Sequence, residues 1–348
     1  MFQLIPWIFV CLLTYFLLDW YRRQPRIVDL SRKFILITGC DTGFGKLLVQ
    51  RLDAIGCNVF AGCLTQAGQV DLRSVCSPRV KTLTLDVTQP DGIQKAFDLV
   101  ANTAPPEEGL WALVNNAGIP GVSAGPLEWL SADDFRKTLE VNVIGLIDVT
   151  LTFLPLLKKA GGRVVNMSST GGRLAGPYSL PCDVSKFGVE GFSDGLRRHL
   201  RLYDADVSVH VIEPSLFRTD MVDPERHSQL FQATWRRLPQ RTKDEFGESF
   251  YKEYSRHSIE AIHNASSTEY SKVLDVYVHA LTSMRPRLRY TVGYRAMFFS
   301  IPLSYLPSNF VDWIICKVHP TLERKGALRK GNGPYVHVNR NVRFSTSH

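Results

Sequence analysis

From residue 33 to about 290 the chain alternates short runs rich in Val, Ile and Leu with longer stretches whose apolar residues recur every three to four positions. The runs suit strands buried on both faces, and the longer stretches suit helices laid against them. The pattern predicts strands over 34–38, 58–62, 80–86, 110–115, 163–167 and 207–212, with helices over 46–55, 92–102, 133–157 and 185–202. Such alternation marks parallel βαβ units, so the expected fold is a doubly wound α/β domain on a Rossmann-type parallel sheet. After Arg218 the strand rhythm stops and a helical region follows, with Phe231, Trp235, Phe246, Tyr251 and Tyr254 set among many charges. Helix packing is the plainer account of these aromatics, and a substrate cap is the alternative.

Two apolar stretches flank this pattern. Met1 to Leu18 carries no charged side chain and runs into Asp19, Trp20, Tyr21, Arg22, Arg23 and Arg26. At 1.5 Å per residue it reaches about 27 Å, enough for a bilayer core. A cleaved signal peptide wants its positive charges before the apolar run and small residues after it, the reverse of this order. Residues 1–21 are therefore read as a retained membrane anchor, and the arginines that follow place the rest of the chain in the cytoplasm. The second stretch, 296–318, is interrupted by Pro302, Pro307 and Asp312, which suits a segment lying in the membrane interface or packed on the domain. The tail over 319–348 carries Arg324, Lys325, Arg329, Lys330, Arg340 and Arg343 and suits contact with anionic lipid.

Composition narrows the function classes. With 348 residues, 45% hydrophobic and 21% charged, the chain is neither disordered nor collagenous nor disulfide-stapled. Seven scattered cysteines without a CxxC pair argue against a zinc centre, and no metal site is expected. The formal charge of +8 is concentrated beside the apolar segments, which favours a membrane surface over nucleic acid as partner.

The strongest chemical signal follows the first strand, in Thr38-Gly39-Cys40-Asp41-Thr42-Gly43-Phe44-Gly45. Glycines at a strand-to-helix turn let backbone approach a pyrophosphate, while the free N–H groups and positive end of the helix face its charge. The Gly-x-x-x-Gly-x-Gly spacing, with four further motifs in order, resembles the short-chain dehydrogenase/reductase superfamily over roughly residues 33–219. The resemblance implies that Gly39, Asp41, Thr42, Gly43, Phe44 and Gly45 hold a dinucleotide and that Asp86 and Val87 meet its adenine. It counts Asn115, Ala117 and Gly118 of Asn115-Asn116-Ala117-Gly118 with the cofactor-binding stretch that also steadies the sheet. It further implies that Asn142 orders a proton-relay water, that Ser169 orients substrate, and that Lys186 is both catalytic and cofactor-binding. Pro214 and Thr219 fall beside the nicotinamide.

Phrases such as Gly109-Leu110-Trp111-Ala112-Leu113-Val114 and Phe187-Gly188-Val189-Glu190-Gly191-Phe192 are similar to the membrane-bound retinol and hydroxysteroid dehydrogenase branch. The implied protein is a nicotinamide-dependent oxidoreductase of lipophilic alcohols or ketones on the endoplasmic reticulum membrane, with its catalytic domain in the cytoplasm and a homo-oligomeric state open to it.

Two departures stand out. The family places a tyrosine four residues before the lysine, and here that position is Cys182. The nearest tyrosine is Tyr178, in the loop before Pro181, which should mark the helix start. A thiol is a stronger acid than a phenol, and Lys186 one turn away should favour the thiolate further, but cysteine ends short of a phenol's reach. Weak or absent activity is expected unless Tyr178 substitutes. The alternative reading is a catalytically impaired dinucleotide-binding membrane protein that acts as a sensor or scaffold. The second departure is Pro214-Ser215 where the family has Pro-Gly. The predicted second strand ends near Cys63-Leu64-Thr65-Gln66 with neither an acid for a ribose 2′-hydroxyl nor a cation for a 2′-phosphate, and NAD is favoured over NADP. Asn264-Ala265-Ser266 is a glycosylation sequon that a cytoplasmic domain would leave unused.

Overall fold

Successive residues of one strand point to opposite faces of its sheet, so an unbroken apolar run needs cover on both sides. The first strand, β1 (Phe34–Thr38), has it. In the computed structural model, which describes residues 4–105, 107–121, 125–177 and 179–318, Ile35 and Ile37 enter one core and Leu36 the other. The sheet has seven strands in the order β3-β2-β1-β4-β5-β6-β7, all parallel. The other six are β2 (Asn58–Cys63), β3 (Val80–Thr84), β4 (Ala112–Asn115), β5 (Arg163–Met167), β6 (Ser208–Pro214) and β7 (Arg289–Val292).

An N-terminal helix, α1 (Leu4–Arg22), precedes the sheet. One face of the sheet is covered by α2 (Gly43–Ala54) and α3 (Gln66–Val75), the other by α4 (Pro90–Thr103). On that second face α5 (Ala132–Leu139) and α6 (Leu146–Ala160) continue one another through a π-helical turn, Glu140–Gly145. The predicted single helix over 133–157 is therefore real in extent but widened in the middle. The carbonyl of Val87 explains where: a Cβ on Gly145 would stand 2.6 Å from it, so helix and loop meet with no side chain between them. Leu196 and Leu200 of α7 (Leu180–Leu202) complete the second core, with Val149, Phe153 and Leu157 of α6. Each such side chain, fully buried, contributes about 1.5–3 kcal/mol.

After β6 come α8 (Pro224–Arg237), α9 (Gln240–Phe246), α10 (Glu248–Ala265) and α11 (Tyr270–Thr282). Val273, Tyr277, Ala280 and Leu281 of α11 close the first core. Two elements were missed in the sequence, α3 and β7. Both are short, and β7, Arg289-Tyr290-Thr291-Val292, carries no continuous apolar run. α7 begins earlier than expected, at Leu180, with Pro181 in its first turn as anticipated.

The aromatics after Arg218 pack on a single hub, Trp129, which is 1% exposed and collects Trp235, Phe246, Phe250, Tyr251 and Tyr254 within 6.2 Å between ring centroids. Gly125 lies so close that a Cβ there would stand 2.1 Å from the indole. Arg237, at the end of α8, clamps Asp134 of α5 with both terminal nitrogens and ties this helical region to the sheet domain. Truncating the hub should cost about 3–5 kcal/mol, so Trp129→Ala is expected to lower the unfolding free energy in a denaturant titration by that amount, with an earlier midpoint, while near-native helix content survives at low denaturant.

Candidate functional site

The glycine turn between β1 and α2 sits where strand order reverses, with β2 on one side of β1 and β4 on the other. Ligands of open parallel sheets bind at such switch points. Gly39 and Gly43 adopt φ values of 71° and 60°, conformations that favour glycine. Gly45 is required for space: a Cβ on it would stand 2.2 Å from the Gly39 carbonyl oxygen and 2.6 Å from Asn116 Nδ2. Asn116 in turn donates to the carbonyls of Thr38 and Gly39, both at 3.0 Å, while Thr38 Oγ1 accepts from the Asn116 and Ala117 N–H groups. The two motifs thus form one rigid surface.

That surface fits a pyrophosphate. α2 begins at Gly43, and its N-cap residue Thr42 makes no side-chain capping bond, so the first-turn N–H groups are presented rather than capped. Beside it, a Cβ on Gly43 would stand 3.6 Å from Thr219 Cβ, and a cavity of about 350 Å³ opens among Gly43, Lys46, Arg218, Thr219 and Tyr270. Phe44 turns away from the turn to pack edge-on against Phe217.

Asp41 holds a position its place in the sequence does not reveal. Its carboxylate accepts from the Leu64 N–H at 2.7 Å, the Thr65 N–H at 2.8 Å and the Thr65 hydroxyl at 2.6 Å. The end of β2, which carries no acid of its own, receives one across the turn. Asp86 caps its own loop through Thr88, and Val87 packs against Gly145 as described. The Asn115 side chain faces into the sheet, donating to Thr150 Oγ1 and Asn166 Oδ1, whereas Gly118 lies against the Asn142 carboxamide, 3.2 Å from Oδ1 to a Cβ built there.

Ser169 and Lys186 meet the C-terminal end of β5, while Asn142 ties the segment after β4 to α7. The Asn142 carboxamide is fully engaged: it exchanges hydrogen bonds with the backbone of Ile119 and donates to Ser185 Oγ at 2.9 Å. Ser168 is buried, while Ser169 is half-buried, accepts from the Gly171 N–H and donates to the Pro214 carbonyl. Lys186 Nζ donates to the Met167 carbonyl at 2.8 Å, and burial pushes its ammonium down from the usual lysine range. Burial likewise pushes the Cys182 thiol up, against the opposing pull of Lys186. The expectation of a favoured thiolate is therefore corrected: desolvation outweighs the lysine, and the thiol stays neutral. Tyr178 lies outside the described residues.

Ser215 is accommodated from the far side. A Cβ on Gly293, whose φ is 103°, would stand 2.3 Å from the Ser215 hydroxyl, so a glycine in the chain leaving β7 makes the room that a glycine at 215 would otherwise leave. Sequence reasoning also missed Asp183 and Arg173. Asp183 accepts from Gly176 N–H and Ser179 Oγ, and burial pushes its carboxyl up to about 6 although both bonds pull it down. Arg173 fastens the loop after β5 to Glu213 of β6 and to Tyr305. For Asp183 a signal existed, since it stands three residues before Lys186 on a helix.

Comparison with known proteins agrees with this geometry. Residues 33–230 match the family described as short chain dehydrogenase. The chain is 42% identical to a 17-beta-hydroxysteroid dehydrogenase type 6 of Bos taurus over 316 residues, 90% of this chain and 98% of that protein. It is 44% identical to retinol dehydrogenase 7 of Rattus norvegicus over 302 residues, 86% and 92% respectively. Among solved structures, a short chain dehydrogenase/reductase from Burkholderia phymatum in complex with NAD superimposes with a TM-score of 0.65 at 20% identity, over 80% of this chain and 94% of that one. A short chain dehydrogenase from Burkholderia cenocepacia in complex with NADP gives 0.61 at 20% identity, over 81% and 97%.

If the Gly45 contact shapes the cradle, Gly45→Ala must push the turn apart. It is expected to weaken NADH binding at least about tenfold in a fluorescence titration and to lower unfolding stability by about 1–3 kcal/mol.

Proposed function

The chain belongs to the short-chain dehydrogenase family and is an NAD(P)-dependent oxidoreductase, and from that premise we propose that it transfers hydride between NAD and a lipophilic alcohol or ketone of the retinoid or hydroxysteroid kind. The observation that carries the reading is the linkage of Ser169, through Pro214 and the segment to Thr219, to the glycine turn at Gly43. One strand end, that of β6, joins the residue suited to a substrate hydroxyl to the cradle suited to a dinucleotide. The nicotinamide, when bound, supplies the hydride acceptor or donor. Lys186, held by Met167, places a positive charge beside the reacting end, and Ser169 presents a hydroxyl to the substrate oxygen.

The substrate class is drawn from the relatives, two of which are named for hydroxysteroids and retinol. Initial rates of NADH formation with retinol and a panel of hydroxysteroids test it. Turnover of at least one supports the proposal, whereas tight NADH binding with no turnover of any would favour the sensor or scaffold alternative. Preference for NAD rests on Asp41, whose carboxylate at the end of β2 would repel a 2′-phosphate. Asp41→Asn is expected to shift the ratio of NADPH to NADH dissociation constants about tenfold toward NADPH, the worth of one charged contact.

A membrane site of action, on the endoplasmic reticulum with the domain in the cytoplasm, follows the same branch. Support comes from both ends of the chain. α1 exposes Trp7, Leu13 and Leu17, and its C-terminal continuation docks beside β7, with Arg23 on the carbonyls of Arg285 and Pro286 and the Ile27 N–H on Thr282. The segment after β7 exposes Phe298 (71%) and Trp313 (54%), on helical turns broken near Pro302 and Pro307. Among the described residues one helix, 132–160, is long and apolar enough to cross a membrane, but its C-terminal half supplies Val149, Phe153 and Leu157 to the core. Deleting residues 1–23 is expected to weaken flotation with liposomes without abolishing it. Full release would show that 296–318 only packs on the domain.

A further inference from the structure

The prolines that break the apolar stretch 296–318 have a use in the fold. Pro302 lies in the short helical turn Ile301–Leu303, and the Tyr305 N–H closes the next turn on the Pro302 carbonyl at 3.2 Å. Leu303 is buried and holds this corner on the domain. Tyr305, two residues on, is 72% exposed, yet its hydroxyl meets the loop after β5. There the Arg173 guanidinium donates to it at 2.7 Å and lies 5.4 Å from the centre of its ring.

Arg173 ends the single helical turn, Thr170–Gly172, that begins at Ser169. That turn is pressed on α7 at Gly172, where a Cβ would stand 2.8 Å from the Lys186 carbonyl oxygen and from Ser168 Oγ. The other terminal nitrogen of Arg173 donates to Glu213 Oε1 at 3.0 Å. Glu213 is buried, and the next residue of β6, Pro214, supplies the carbonyl that accepts from Ser169 Oγ at 3.4 Å. Arg173 thus touches both supports of the serine, its own turn and the strand end beside it. Glu213 does not depend on Arg173 in return, because its Oε1 also accepts from Arg289 at 2.8 Å and its Oε2 from Thr291 Oγ1 at 3.0 Å. Two guanidinium groups on one carboxylate oxygen repel each other, so the second needs a further partner to stay in place. Tyr305 supplies it.

We propose that Tyr305 is a positioning residue for the reaction: its hydroxyl and ring hold Arg173, and through Arg173 they fix the Ser169 hydroxyl where the substrate oxygen binds. The inference rests on the reading above in which Ser169 meets that oxygen. It joins the apolar C-terminal segment to the site through two side chains, and the fixed geometry of Ser169 is what turnover depends on. Lipid around the exposed ring would exclude competing water and strengthen the bond to Arg173, so seating of this segment on a bilayer and order in the serine turn reinforce each other.

The test uses the full-length chain in phosphatidylcholine vesicles and compares the wild type with Tyr305→Phe, Tyr305→Ala and Arg173→Lys. Turnover is read as kcat at saturating NAD and saturating hydroxysteroid or retinol, so that partitioning of substrate into lipid drops out. Amide hydrogen exchange over 169–176, NADH binding and thermal unfolding are followed in parallel. Tyr305→Phe keeps the ring and removes the acceptor. It should lower kcat about tenfold, the worth of a hydrogen bond to a charged group, and leave NADH affinity and Tm unchanged. Exchange of the Gly171, Gly172 and Arg173 N–H groups, all bonded within the turn, should quicken. Tyr305→Ala, which also loses the ring, should act in the same direction and more strongly. Arg173→Lys should match Tyr305→Phe, since an ammonium lacks the planar fork that spans Glu213 and Tyr305. Wild-type kcat in Tyr305→Phe overturns the proposal, as does unchanged exchange in the turn. A fall in NADH affinity or Tm in step with kcat also overturns it and makes Tyr305 a structural prop. Turnover that survives Ser169→Ala refutes the reading of the serine, and the proposal with it. A wild type silent on every alcohol refutes the substrate reading, and that failure is separate, because exchange in Tyr305→Phe tests the link to the turn without turnover.

Discussion

The contact of Gly45 with the Gly39 carbonyl is the constraint from which the site is built. It holds the first turn of α2 against the end of β1 at a distance no side chain permits. Asn116 can then bridge both β1 carbonyls from β4, which locks the switch point of the sheet where a ligand can lie. The same turn swings Asp41 to the end of β2 and brings Gly43 to Thr219. Three strand ends and one helix start are thus fixed by the absence of a few side-chain atoms, and the apolar clusters on either face hold them there.

The opposite wall of the site is built differently, from polar residues. The loop after β5 is fastened by Arg173 to β6 and by Asp183 to α7, while the chain Ile119–Asn142–Ser185 and the bond from Ser185 Oγ to the Cys182 carbonyl brace the start of α7. Buried polar networks of this kind fix geometry when their members are satisfied. Cys182 therefore sits in a hydrogen-bonded frame at the start of α7.

Much of this was legible in the sequence for physical reasons. β1 declares itself because a strand buried on both faces must be apolar at every position, and the glycine turn because pyrophosphate needs bare backbone. That α7 begins near Pro181 was legible from proline alone, and the proline falls in its first turn. Other features depend on partners remote in sequence. β7 is too short and too charged to stand out before Glu213 and Glu190 supply its arginine with partners. The widened turn at Glu140–Gly145 reflects a loop carbonyl pressed against Gly145, and Asp41 looks like a turn residue until α3 folds beside it. Ser215 reads as a departure until Gly293 is seen opposite.

The most direct measurement of the central claim is transfer of a label. Oxidation of a hydroxysteroid or retinol with every carbinol hydrogen replaced by deuterium, with the dinucleotide product analysed by mass, reports hydride transfer without reference to rate. The account predicts one deuterium per reduced NAD and one carbonyl product per deuterium transferred. Reduced dinucleotide without deuterium, or saturating NAD binding with no labelled product from any such alcohol, would contradict it.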